Sequence, residues 1–215
     1  MNKHVFYLVI LMLPLFSLGQ VSTDAKLWTG ISLEKEIYDL EIQLNQEFRF
    51  NENMTHLEKT LTELQFEYKM DKPFYLSWGY RFDQEFDYET KNVDVNHRVE
   101  LGLAIKKKFL YDWKFKYRTK FQMKFKSTEK EDPFYWRNKF TMEYRRFDIE
   151  PYVSYEFYFK FNNKFDFNRN RYFVGDKYDL NKDSSLKVFY FYEDKFNRKN
   201  LKVNHVWGVM YRYEL

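Results

Sequence analysis

Apolar and polar residues alternate one for one along most of this chain, and that period restricts its folds more tightly than any other property. From Trp113 to Lys126 the sequence reads WKFKYRTKFQMKFK, with rings and methionine at almost every second place and lysine, arginine or glutamine between them. On a helix a period of two scatters apolar side chains around the axis, whereas on a strand it sorts them onto two opposite faces. The stretch is therefore a strand with one aromatic face and one charged face.

The pattern recurs from Leu27 to Glu36, Tyr38 to Phe50, Leu57 to Met70, Phe74 to Phe86, Val93 to Lys106, Tyr135 to Tyr144 and Ile149 to Lys160. It continues from Arg169 to Leu180, Ser184 to Glu193 and Leu201 to Leu215, which makes about eleven candidate strands. Tight turns (DKP, RRFD, NKD) alternate with longer polar loops (NENMTH, QEFDYETKN, KSTEKED, EDKFNRKN). Such regularity describes an up-and-down meander with short turns at one rim and long loops at the other. No linker or second domain interrupts it.

Two closed architectures satisfy alternating strands. A lipocalin-like soluble barrel hides its apolar face, and a transmembrane barrel shows that face to lipid and keeps its charges inside. Strands of 10 to 14 residues exceed the five or six usual in soluble proteins and suit a tilted crossing of a bilayer, which takes roughly 9 to 11. The rings decide in the same direction, because 24 Phe and 19 Tyr are too much volume for the inside of a small barrel. Trp78, Tyr80, Trp113, Tyr117, Trp136 and Trp207 lie near strand ends, where aromatic girdles meet the two membrane surfaces.

The first twenty residues, MNKHVFYLVILMLPLFSLGQ, place Lys3 before an apolar run that ends in small residues, the pattern of an export signal over residues 1–19 with the barrel over 20–215. The closing WGVMYRYEL sets Tyr211, Tyr213 and Leu215 on one face, as a terminal strand presented to the outer-membrane assembly machinery would. The expectation is an all-β, antiparallel up-and-down barrel in the outer membrane of a Gram-negative bacterium. Because bacterial single-chain barrels have even strand numbers, ten or twelve strands are expected, with Leu27–Glu36 either short of a full crossing or joined by a further strand.

Several segments carry a family resemblance: Trp28 in an early strand, EFRF closing the second, PYVSYEF from Pro151 to Phe157, and RNRYFVG from Arg169 to Gly175. Together they resemble the uncharacterised outer-membrane barrel family filed as domain of unknown function 2490, common in Bacteroidota. The resemblance implies fold and location and brings no assigned activity or catalytic residue.

With charges inward, the predicted lumen is lined by Glu41, Glu47, Arg49, Glu67, Arg81 and Asp83 from the first half of the chain. Arg98, Glu100, Lys116, Arg118, Lys120, Arg137, Lys139, Glu143, Glu156, Arg169 and Arg171 follow from the second. Lipid takes Trp113, Phe115, Tyr117, Phe121, Met123, Phe125, Tyr211 and Tyr213. The early strands make a more acidic wall, and the strand from Trp113 with its successor makes a basic one. Either the charges pair across a narrow lumen and plug it, or the walls line a pathway for a small anionic solute.

Little in the sequence supports catalysis. The net charge of +4 is a small difference between 36 basic and 32 acidic residues, which gives no case for nucleic acid. The absence of cysteine removes thiolate metal sites and thiol nucleophiles. His97 and His205 fall on the apolar face, and His56 near Glu58 is the one candidate for an outer-membrane hydrolase of lipid or peptide. No cofactor or metal is called for. The expected partners are outer-membrane lipid, lipopolysaccharide phosphates meeting Lys and Arg of the long loops, the assembly machinery and a small anionic solute.

Overall fold

The structure, a computed structural model, describes residues 22–109, 112–126, 134–145, 149–162, 164–196 and 202–215. The expected leader over 1–19, most of KSTEKED, residues 146–148 of RRFD and residues 197–200 of EDKFNRKN lie outside them. The described residues form eleven strands: β1 (Ser22–Ile37), β2 (Leu40–Asn51), β3 (His56–Lys69), β4 (Phe74–Asp87), β5 (Asn92–Phe109), β6 (Trp113–Lys126), β7 (Phe134–Tyr144), β8 (Ile149–Asn162), β9 (Lys164–Asn181), β10 (Ser184–Lys195) and β11 (Lys202–Glu214). Each pairs with its sequence neighbours, and β1 meets β11 to close a barrel.

The expected ten or twelve strands are corrected to eleven, and the barrel is not antiparallel throughout. The first segment is a full strand, starting at Ser22, and it pairs in parallel with β11 from Ser22↔Lys202 to Glu34↔Glu214. An odd meander must close this way, because its first and last strands point in the same direction. Residue 22 therefore stands at the long-loop rim, and residue 215 stands at the rim of the short turns. β9 also begins earlier than the alternation suggested. A register shift between Tyr158 and Phe159 re-phases the pair, so that Phe159↔Phe167 and Phe161↔Phe165 keep their rings together.

Burial shows which face is inside. Along β5, Val99, Leu101 and Leu103 are 42%, 55% and 50% exposed, whereas Asn96, Glu100 and Ala104, at alternate positions, are 2%, 7% and 4% exposed. Apolar side chains point out and polar ones point in, the reverse of the lipocalin-like arrangement. Within the lumen the polar residues pack against one another, so the barrel's interior is largely a hydrogen-bonded, charged layer.

Polar groups on the outward face are paired across strands. The Tyr117 hydroxyl donates to Asn138 Oδ1 at 2.7 Å, and Tyr155 does the same to Asn170 at 3.0 Å. Trp136 Nε1 donates to Thr119 Oγ1 at 2.7 Å. The hydroxyls of Tyr80 and Tyr190 meet Nδ1 of His97 and His205 at 2.6 and 2.7 Å. Each pair satisfies groups that an apolar surrounding would otherwise penalise.

Candidate functional site

The alternation that exposes the rings of β6 aims Lys114, Lys116, Arg118, Lys120, Gln122 and Lys124 into the barrel. Trp113, Phe121, Met123 and Phe125 stand exposed on its outside, with Phe115 and Tyr117 beside Phe140. Tyr211 and Tyr213 are outward on β11, level with Ile31 and Leu33 of β1. The predicted inward set occupies the inner wall. Glu47, Arg49, Arg81, Arg98, Glu100, Arg118, Lys120, Arg137, Lys139, Glu156, Arg169 and Arg171 surround a cavity of about 630 Å³. Glu41, Glu67, Lys116 and Glu143 border a second of about 490 Å³ nearer the short turns. Asp83 is buried beside Lys59 Nζ at 3.3 Å. Gln43, Asn45, Gln65, Arg118, Lys120, Tyr152, Lys187, Met210 and Arg212 border both cavities and so form the neck between them.

The charges pair along the wall. Arg81 meets Glu63 at 2.6 Å and Lys59 meets Glu85 at 3.0 Å between β3 and β4. Lys120 pairs with Glu100, Lys106 with Glu67, and Lys114 with Glu143 at 3.1 Å. Arg171 reaches Glu193 at 2.7 Å, and Arg212 meets Glu34 across the closing seam at 3.1 Å. Among the described residues every luminal ion pair joins strands at most two apart. The opposite wall of an eleven-stranded barrel is about five strands away, so none of these pairs spans the bore. The expected pairing across the lumen is replaced by a belt around it.

Glu156 and Glu193 are the most shared carboxylates in that belt, each with three cations within 4.0 Å. Fully buried on β8, Glu156 accepts from Arg137 Nη2 at 2.7 Å and from the Tyr158 hydroxyl at 2.8 Å. Arg171 and Arg118 lie at 3.5 and 3.8 Å. Arg171 stands directly opposite Glu156 on β9, Lys139 opposite it on β7, and Arg118 one strand farther, opposite Lys139 on β6.

Cations outnumber carboxylates throughout. The larger cavity is bordered by fifteen Lys or Arg and seven Glu, and the smaller by nine and four. The excess is possible because inward rings take positions that carboxylates would otherwise fill. Arg49 lies 3.6 Å over Trp28, Lys139 3.9 Å over Phe173, and Lys187 4.7 Å over Tyr152. A ring face holds a cation by its quadrupole without cancelling the charge. Arg98, Lys116, Lys139 and Lys187 have no carboxylate within 4.0 Å among the described residues. Arg98 stands directly opposite Arg81, and Arg118 opposite Lys139, cross-strand placements that ordinarily cost stability.

These rings are inward exceptions to an aromatic content expected mostly on the outward face. Phe191 is fully buried inside, 4.9 Å from Trp28 and 4.6 Å from Phe173. Phe189 lies so flat on the opposite backbone that a Cβ at Gly208 would fall within its ring. The FYFY run of β10 has rings on both faces, so alternation could not sort it.

Glu58, the expected neighbour of His56, pairs with Lys26 Nζ at 2.6 Å, and His56 has other partners. It sits at the rim beside Glu52 at 3.3 Å and Thr55 Oγ1 at 2.8 Å. Among the described residues, no group of three or more His, Cys, Asp or Glu is placed to hold a metal.

Comparison with known proteins identifies the family of the chain. The profile of the family described as Protein of unknown function (DUF2490) matches residues 25–204, and the chain belongs to that family. No curated protein matches. Solved structures that are similar include the beta domain of the Bordetella autotransporter Brka, at 10% identity and TM-score 0.49, covering 80% of this chain and 82% of that one. Another is the outer-membrane expressed OmpT of Vibrio cholerae, at 11% identity and TM-score 0.43, covering 81% of this chain and 59% of that one.

Proposed function

We propose that this member of the DUF2490 family is an outer-membrane barrel, exported on its first 19 residues, whose cationic lumen admits small anionic solutes. The observation that carries the reading is the fifteen-to-seven excess of cations around the main cavity, set inside a wall whose outward face is apolar. Strands of 11 to 18 residues are long enough for a bilayer crossing, which takes roughly 9 to 11. The outward tyrosine, asparagine and histidine pairs suit a surface without water. On this reading lipid covers the outward rings, lipopolysaccharide phosphates meet lysines and arginines of the long loops, and the assembly machinery receives β11.

Fixed charge of one sign along a confined path sets the sign of the ion that passes. The test is single-channel conductance of refolded protein in a planar bilayer under a salt gradient. The expected result is steady conductance with a reversal potential of anion sign, weakened or inverted by Lys116→Glu with Lys187→Glu. Silence from folded protein, or cation preference, overturns the reading.

A further inference from the structure

We infer that the neck between the two cavities is a discrete binding site for a divalent oxyanion of the phosphate type, held by Arg118, Lys139 and Lys187. The inference rests on the anion-admitting reading of the lumen and goes beyond it, because a field that attracts anions need not bind any of them at one place.

The three cations come from three strands, β6, β7 and β10. Arg118 and Lys187 border both cavities, and Lys139 borders the larger one. Arg118 and Lys139 are direct cross-strand neighbours. Lys187 numbers Arg118 among its charged neighbours, and Lys139 numbers Lys187 among its own.

What they lack is negative charge. Glu156, the carboxylate nearest Arg118, is already engaged by Arg137 at 2.7 Å, Tyr158 at 2.8 Å and Arg171 at 3.5 Å, and Arg118 is the most distant at 3.8 Å. Lys139 and Lys187 touch ring faces, Phe173 and Tyr152, which position the ammonium groups and leave their charges intact, while Glu156 and Glu143, the carboxylates each has among its charged neighbours, stand beyond 4.0 Å. Two ammonium charges thus stand without a contacting carboxylate beside a guanidinium that is incompletely matched. A phosphate carrying roughly −1.5 to −2 near neutral pH supplies that deficit, and its several oxygens allow more than one cation to donate at once. Chloride could supply one charge and no such geometry.

The test is equilibrium dialysis of labelled inorganic phosphate against the full folded barrel in detergent, with chloride as background salt. One saturable phosphate per chain is expected. Lys139→Gln with Lys187→Gln should weaken it at least roughly tenfold, the scale of a lost hydrogen bond to a charged group. Lys187→Arg should keep it. Lys59→Gln removes a luminal cation that is paired with Glu85, and should change binding far less. Heat-dependent gel mobility establishes that each variant is folded, and should the double variant not fold, Lys187→Met alone must weaken binding. Absence of saturable binding overturns the site, as does an equal loss in Lys59→Gln, which would show a diffuse field. Phosphate binding in a barrel that does not conduct would leave the site standing and remove the pathway; anion conductance without saturable phosphate would do the reverse.

Discussion

Replacing Glu156 by glutamine removes one charge with almost no change of shape, and the surroundings of Glu156 set what that should cost. Its oxygens take short hydrogen bonds from Arg137 and Tyr158, and Arg171 and Arg118 stand within 4.0 Å. Glutamine keeps one acceptor oxygen but turns an amide donor toward guanidinium groups. Arg171 retains Glu193, whereas Arg137 and Arg118 lose the one carboxylate within reach among the described residues. Breaking a buried pair by removing one partner costs about 3–5 kcal/mol. Water in the adjoining cavity offsets part of this, so about 3 kcal/mol is the expected loss. With a urea slope of about 2 kcal/mol/M, the unfolding midpoint should fall by roughly 1.5 M. Urea titration in lipid vesicles, followed by tryptophan fluorescence and gel mobility, measures it. The control is Glu85→Gln: that carboxylate is 41% exposed, and its loss should cost no more than about 1 kcal/mol. Equal midpoints for the two variants would refute the argument, because they would show the arginines to be hydrated rather than held by Glu156.

Leu101→Lys places a charge on the outward face of β5 and should destabilise by about 2–4 kcal/mol in vesicles, whereas Gln65→Lys, facing inward, should change selectivity with little loss of stability. Urea titration and reversal potential measure the two effects. Gly208→Val should cost about 1–3 kcal/mol through collision with the Phe189 ring, and Phe189→Ala in the same chain should recover part of that. The chain has no cysteine, so single substitutions can be labelled cleanly. Thr23→Cys and Glu89→Cys, at the long-loop rim, should react together with an impermeant maleimide on intact cells, and Lys182→Cys only after lysis. Thr23→Cys behaving like Lys182→Cys would refute the parallel closure.

How much of this could be read beforehand depended on local contrast. Alternation in β2 through β6 is strong enough to assign side chains to a face, and Lys116 and Arg118 needed nothing else. It failed where both faces carry the same kind of residue: Phe189 and Phe191 point inward from a run that also has Tyr190 and Tyr192 pointing out. It also failed at Asn138 and Asn170, polar residues on the outward face, because the tyrosine that satisfies each belongs to a neighbouring strand. The strand count was visible as about eleven segments and was then rounded to an even number by a general rule. What alternation lacks is polarity, and only the β1–β11 register shows how the ends meet. The cationic neck was equally hidden, since Lys187 lies far along the chain from Arg118 and Lys139 and joins them only on closure.

That closure also shapes how the barrel can form. Ten of its eleven junctions join strands consecutive in the chain, and each can zip from the connection between them. The seam has no such help. Ser22 must find Lys202, about 180 residues away, and the pairing must run for thirteen positions without a hairpin to seed it. At roughly 3.3 Å per residue, that register separates Ser22 from Glu214 by about 40 Å along the wall. A short linker therefore cannot join them, and circular permutation, easy in an even meander, would here need a connection crossing the full height of the barrel. The β1–β11 seam should be the last junction to form and the first to open.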